Sequence, residues 1–188
     1  MDMAKMMQLF SHQRHDFLNH LQVVSGLLQM NREEQARDYI KNVAREVALL
    51  SKIVHLKIPE AAAAILLSHY AAAELGVGME FEINANLGNC LIPGSVLGSA
   101  LEAVLGHLTE YLAPPDNKER IIHVGVYAAA NGYRITARHR QNQGDNVPGN
   151  DGTLPDVAGE LARYGGGLEN STQCEYREIA VFLPAAEA

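Results

Sequence analysis

Between residues 3 and 54, apolar side chains recur in alternating steps of four and three, in two runs. The first run is Met3, Met7, Phe10, Arg14, Phe17, Leu21, Val24 and Leu28, in which Arg14 is the single polar member. The second is Ala36, Ile40, Val43, Val47, Leu50 and Val54, with no break. A repeat of about 3.5 residues keeps one stripe of a helix turned toward a partner, so each run predicts a long helix with a bundle seam. Asn31 is placed to cap the second helix, with Glu34 three residues on as its capping-box partner. The pattern fades after His55, and Pro59 closes the segment. Two long helices joined by about two to four residues must run antiparallel. One hairpin cannot bury both seams. Pairing with a second copy would complete a four-helix bundle, and twofold dimers are the commonest closed assembly. The alternative is that later residues cover the seams within a monomer.

From Glu60 the signals change. An Ala-rich helix is predicted over Glu60–Leu75, ending at Gly76, and Met79–Asn84 alternates like a half-buried strand. Pro93 opens a helix that runs to about Leu112, ahead of Pro114-Pro115. Ile121–Ala129 and Tyr133–His139 read as strands around the turn Asn131-Gly132. Gln141–Thr153 reads as a polar loop, Pro155–Tyr164 as a short helix, Gly165-Gly166-Gly167 as a turn and Glu178–Leu183 as a last strand. Helices mixed with mostly antiparallel strands predict an α+β fold of one sheet and one helical layer. Two units follow, a helical hairpin over residues 1–58 and an α/β sandwich over 59–188.

The charge is divided along the same line. Residues 1–57 hold eight Lys/Arg and six Asp/Glu, so the net charge of −7 for the whole chain leaves −9 for the rest. That balance argues against a general nucleic-acid binder. A mildly basic first unit fits an acidic protein partner, and a plain solvated surface fits as well. Cys90 and Cys174 lie far apart with no metal-ligand spacing around either, which points to a reducing, cytoplasmic setting. Apolar stretches such as Ala61–Leu67 are too short to span a bilayer, and Met1–Phe10 is amphipathic rather than a signal peptide.

At about 100° per residue, Phe10, Phe17, Leu21, Val24 and Leu28 cluster on one side of the first helix. His15 falls roughly opposite them, flanked by His12 at i−3 and Asn19 at i+4. An imidazole turned to solvent from a rigid bundle is within reach of a partner. Near neutral pH much of it is unprotonated, and so nucleophilic. Asp16 is placed to orient the ring or manage its proton, although as the next residue it projects sideways. The plainer interpretation is that His12, His15 and His20 are three surface histidines on a polar face. A metal pair at His12 and His15 is a further alternative, for which no third and fourth ligand stands at a useful spacing.

The string Arg14-His15-Asp16-Phe17-Leu18-Asn19-His20-Leu21-Gln22, continuing to Gly26-Leu27-Leu28, resembles the phospho-acceptor helix of the sporulation-initiation phosphotransferase B family. It is also similar to the sensor histidine kinases of the citrate and dicarboxylate type. The shared core is Arg-His-Asp-aromatic-x-Asn, and the resemblance covers about the first 55 residues; beyond them it extends only to the order of elements. It implies that His15 accepts phosphate, that the hairpin dimerises and that the remainder is a degenerate kinase-like ATPase domain.

A working kinase of that type needs an Asn that holds Mg²⁺, an Asp that reads adenine and Gly-rich loops around the phosphates. Val96–Val104 resembles the helix that carries the metal ligand, but Ser99 and Ala103 stand where kinases place asparagines, with Glu102 keeping the intervening acid. Ala103 can coordinate nothing. His139 stands where the adenine-binding Asp follows its strand, and Asp145-Asn146-Val147-Pro148-Gly149 is a late, altered glycine box. Gly165-Gly166-Gly167-Leu168 matches the second box, although a helix–strand turn accounts for it too. The expected function is therefore transfer of phosphate through His15 between response-regulator receiver domains. The chain would bind no cofactor and no metal of its own, Mg²⁺ would come from the receiver, and Arg14 would help to neutralise charge. The alternatives are an ATP-dependent kinase core and a non-catalytic dimeric adaptor that docks a receiver.

Overall fold

The structure, a computed structural model, describes residues 3–141, 154–173 and 175–186. Two helices, α1 (Met3–Gln29) and α2 (Glu33–Val54), form the antiparallel hairpin that the two seams predict. The turn between them differs in its chemistry from the expected cap. Asn31 does not cap α2, whose N-cap is Arg32 without a side-chain hydrogen bond. Asn31 instead closes α1 in the left-handed region, at φ 55°. The Arg32 N–H donates to the Leu27 carbonyl at 2.9 Å and the Asn31 N–H to the Leu28 carbonyl at 3.0 Å. That is a Schellman closure, and asparagine tolerates its conformation better than most residues.

Helix α3 (Pro59–Glu74) follows, then β1 (Gly78–Ile83), α4 (Gly94–Leu112), β2 (Ile121–Ala129), β3 (Gly132–Arg140), α5 (Leu154–Ala162), β4 (Gly167–Gln173) and β5 (Tyr176–Pro184). The sheet order is β1-β2-β3-β5-β4. β1 lies parallel to β2, with α4 as the crossover, and the other pairings are antiparallel. This is the α+β fold that the element order predicts. The sequence gives no sign of β4, because GLENSTQ carries no alternating apolar face; it is an edge strand, held by its ladder with β5.

One core unites sheet and helices. Ile122, Val124 and Val126 of β2, Ile135 and Ala137 of β3, and Ile179, Val181 and Leu183 of β5 meet Leu97, Leu101, Leu105 and Leu108 of α4. The register aligns Val124 with Ala137 and Ile135 with Val181, so apolar residues face each other across adjacent strands. Helix α3 is buried over Ala61–Leu66. A helix apolar on all sides needs cover on all sides, and α3 has α4 on one flank and the end of α2 on the other. Gly98 of α4 packs against the Glu60 backbone, where a Cβ would come within 3.1 Å of its carbonyl oxygen. Ile53 and Leu56, at the end of the hairpin, belong to this same core. The hairpin is therefore packed onto the second unit as well as joined to it. No helix among the described residues is long and apolar enough to cross a membrane.

Candidate functional site

The site is built on the middle of α1, and the helix sorts its side chains into three directions. Phe10, Phe17, Leu21 and Leu28 are exposed in the single chain, as are Ile40, Val47 and Val54 of α2, whereas Ala36 is buried and Val24, Val43 and Leu50 are half-buried, so each seam is bare over part of its length. A second direction faces α2 and α3. His12 is half-buried there, stacked on Tyr70 of α3 with ring centroids 4.8 Å apart and planes 7° from parallel. His20 is hydrogen-bonded to the Tyr39 hydroxyl at 2.9 Å. Of the three histidines expected on an open polar face, these two are engaged inside the fold, because that part of α1 turns toward Tyr39 and Tyr70.

His15 alone of the three points outward, its side chain 76% exposed. Its Nδ1 lies 3.1 Å from the Asn19 amide nitrogen and 3.9 Å from an Asp16 carboxylate oxygen. As placed, the Asn19 amide N–H donates to Nδ1; rotation of the amide presents Oδ1 instead, which accepts a hydrogen bond from an Nδ1–H. In that tautomer Nε2 carries the lone pair, on a ring that is mostly open to solvent. Arg14 is exposed about 100° round the helix from His15, toward the seam, and does not share its face.

The neighbours behind His15 come from the second unit, and reading the sequence did not single them out. Burial holds His69 below its ordinary value, against the opposing pull of Glu46 and Asp16. Burial, followed by the charges of Asp16 and Glu46, raises the Tyr70 hydroxyl. His69 also meets the Phe81 ring edge-on at 5.4 Å. A His-Tyr pair inside an alanine-rich helix was the available signal, since it interrupts an otherwise small, apolar surface.

The nucleotide-related positions are far less suited to chemistry. Ser99 is exposed and Ala103 half-buried on α4, and Ala103 offers no ligand atom. His139 is fully buried, its Nδ1–H donating to the Arg140 carbonyl at 3.0 Å, beside the Tyr111 ring. The Gly165-Gly166-Gly167 run closes α5, with Gly165 at φ +76° and the Gly166 N–H on the Leu161 carbonyl. A Cβ at Gly166 would strike Ile92 and the Phe182 carbonyl. This is the helix–strand turn, built as a second Schellman closure. The box at Asp145–Gly149 lies outside the described residues. Among the described residues, Ala103 and the buried His139 do not supply the ligands that a magnesium nucleotide needs. Among the described residues no group of three or more His, Cys, Asp or Glu is placed to hold a metal ion, and His12 is turned away from His15.

Residues 1–56 match the family model described as the sensor-kinase SpoOB-type alpha-helical domain. No curated protein sequence matches the chain. Among solved structures, the chain is similar to the Acinetobacter baumannii histidine kinase AdeS at 9% identity and a TM-score of 0.52, over 92% of this chain and 98% of that one. It is also similar to the histidine kinase ThkA in complex with the response regulator protein TrrA, at 8% identity and a TM-score of 0.56, over 95% of this chain and 61% of that one. At such identities the likeness is one of fold. Residues 1–56 are thus similar to the SpoOB-type alpha-helical domain of sensor kinases, and the chain as a whole shares the fold of the histidine kinases.

Proposed function

We propose that this chain is a phosphorelay phosphotransferase, which takes a phosphoryl group from a receiver aspartate onto His15 and gives it to a second receiver without using ATP. The observation that carries this reading is the outward His15 ring, anchored at Nδ1 and open at Nε2. In the forward step the Nε2 lone pair attacks the phosphorus of an aspartyl phosphate in line. The N–P bond forms as the P–O bond to the carboxylate breaks, and the carboxylate leaves with the electron pair. The proton on Nδ1 stays in place, held by Asn19 and balanced by Asp16. Return to a second aspartate is the same step reversed. Positioning and charge neutralisation account for most of the acceleration in such transfers. The metal belongs to the receiver, whose acidic pocket supplies Mg²⁺, and Arg14 adds positive charge beside the docked pocket.

The protein works as a homodimer in the cytoplasm. The exposed apolar residues of the two seams, Phe10, Phe17, Leu21, Leu28, Ile40, Val47 and Val54, support the dimer, as apolar surface of that extent needs a partner. Receiver domains are the partners, and the histidine kinase of like fold that is complexed with a response regulator supports them. The histidine-kinase fold also favours one second reading, an ATP-dependent kinase core. The test is to mix the chain with a phosphorylated receiver domain. Acid-labile label on the unmutated chain and none on His15→Gln is the expected result, since glutamine has no nucleophilic ring nitrogen. Label that persists in His15→Gln, or that maps to His12 or His20, overturns the assignment.

A further inference from the structure

The second unit reaches back to helix α1 through an aromatic contact, next to Leu9, which packs against the core. Tyr70 is 8% exposed and fixed in α3, a helix buried between α4 and the hairpin. Its ring lies flat on His12, 4.8 Å away, and His12 is less than one turn from His15. His69, the residue before Tyr70, is locked against the Phe81 ring of β1. Its buried Nδ1 has no hydrogen-bond partner among the described residues. Asp16, next to His15, is close enough to both for its charge to act on each of them.

We propose that Tyr70 is a positioning residue for His15: its stack on His12 fixes the roll of α1 that turns His15 outward, and so ties the transfer site to the unit behind the bundle. The proposal rests on the phosphotransfer reading. Its weight comes from the geometry of a helix. At a radius of about 5–6 Å, a roll of about 10° carries a side-chain tip about 1 Å round the axis. A misplacement of that size can cost on the order of a hundredfold in an oriented reaction. The exposed seam of α1 does not resist roll within one chain; the inward contacts of Leu9, His12 and His20 do, and the flat ring pair is the one nearest His15 along the helix. A ring in the core of the second unit also gives that unit a purpose that needs no nucleotide: it is the wall against which the acceptor helix is set.

The test is a double-mutant cycle on the full chain, with a phosphorylated receiver domain as donor. It reads the first-order rate of label transfer within the complex and, separately, the affinity for the receiver. Tyr70→Leu and His12→Leu should each slow transfer about five- to tenfold, the weight of one ring–ring contact. Receiver affinity should change less than about twofold. The double variant should be no slower than either single one, and Tyr70→Phe, which keeps the ring, should restore the rate. Where Tyr70→Leu fails to fold, His12→Phe against His12→Leu decides: the proposal requires Phe to transfer faster. An unchanged rate in both leucine variants, additive slowing in the double variant, or a loss confined to affinity overturns the proposal while leaving the phosphotransfer reading intact. An unmutated chain that takes no label removes the phosphotransfer reading first, and the proposal with it.

Discussion

Asn19 stands one helical turn from His15 and brings its side-chain amide to 3.1 Å from Nδ1 of the ring. This pairing is what makes the two nitrogens of His15 unequal. One is tied to the helix and the other faces the solvent, and the chemistry proposed for the chain needs that division.

Asn19→Ala should therefore slow phosphate uptake without abolishing it. The exposed pair gives up about 0.5–1.5 kcal/mol, so a slowing of roughly twofold to twelvefold is expected, with little change in stability. Phosphorus–nitrogen couplings measured by NMR on the labelled protein should place the phosphoryl group on Nε2. Attachment at Nδ1 would contradict the tautomer argued here.

Val47→Asp tests the dimer. Val47 is 57% exposed in the single chain, so the substitution is harmless to an isolated hairpin. In a closed four-helix bundle it buries an unpaired charge, at a cost of about 3–5 kcal/mol for each site. Sedimentation at micromolar concentration should show a dimer for the unmutated chain and a folded monomer for the variant. A monomer in both would mean that something other than a second copy covers the seams.

MgATP should not bind at low micromolar concentration and should not label the chain. The motive is the donor set: Ala103 has no ligand atom, and His139 is fully buried with Nδ1 on a backbone carbonyl. Titration calorimetry is the direct measurement. A clear exothermic isotherm, lost in a variant of the second unit, would favour the kinase reading instead.

His69 gives the stability a pH dependence whose sign is fixed by its burial. Its proton affinity in the folded chain is lowered, mainly by burial, with Glu46 and Asp16 pulling the other way. Below about pH 6.5, the usual histidine value, the unfolded chain binds a proton that the folded chain still refuses. Stability is thus complete above that pH, and it falls as the pH drops from there toward the folded value. His69→Phe should flatten this part of the profile. Urea midpoints at about pH 7.5 and 5.5 provide the comparison, and an equal drop in both proteins would show that other groups carry it.

Much of this architecture could be read from the residues. Alternating steps of four and three specify helix, hairpin and bare seam together, since only one backbone geometry keeps such a stripe on one side. The turn at Asn131-Gly132 and the flanking alternation likewise fix the β2–β3 hairpin, where Gly132 sits at φ +152° against the Leu183 carbonyl. The outward direction of His15 follows from the same arithmetic, being set by its angle from Phe17 and Leu21. Strand β4 could not be found in this way, because a solvated edge strand needs only a backbone ladder and leaves no mark on its side chains. The role of Asn31 was also hidden, as the same residue type serves to start one helix or to end another, and only the backbone dihedral distinguishes them.

The surroundings of His15 were decided by tertiary structure alone. Helical angles place His12 and His20 near His15, but they cannot say which flank another element will cover. That depends on α3, a helix whose alanines allow close packing on both sides and so bring Tyr70 down onto His12. Helix α1 and the outward direction of His15 were legible from the residues alone, because both are properties of one periodic segment. What stands behind that histidine depends on residues more than fifty positions away, and only the packing of α3 between the sheet layer and the hairpin brings them there.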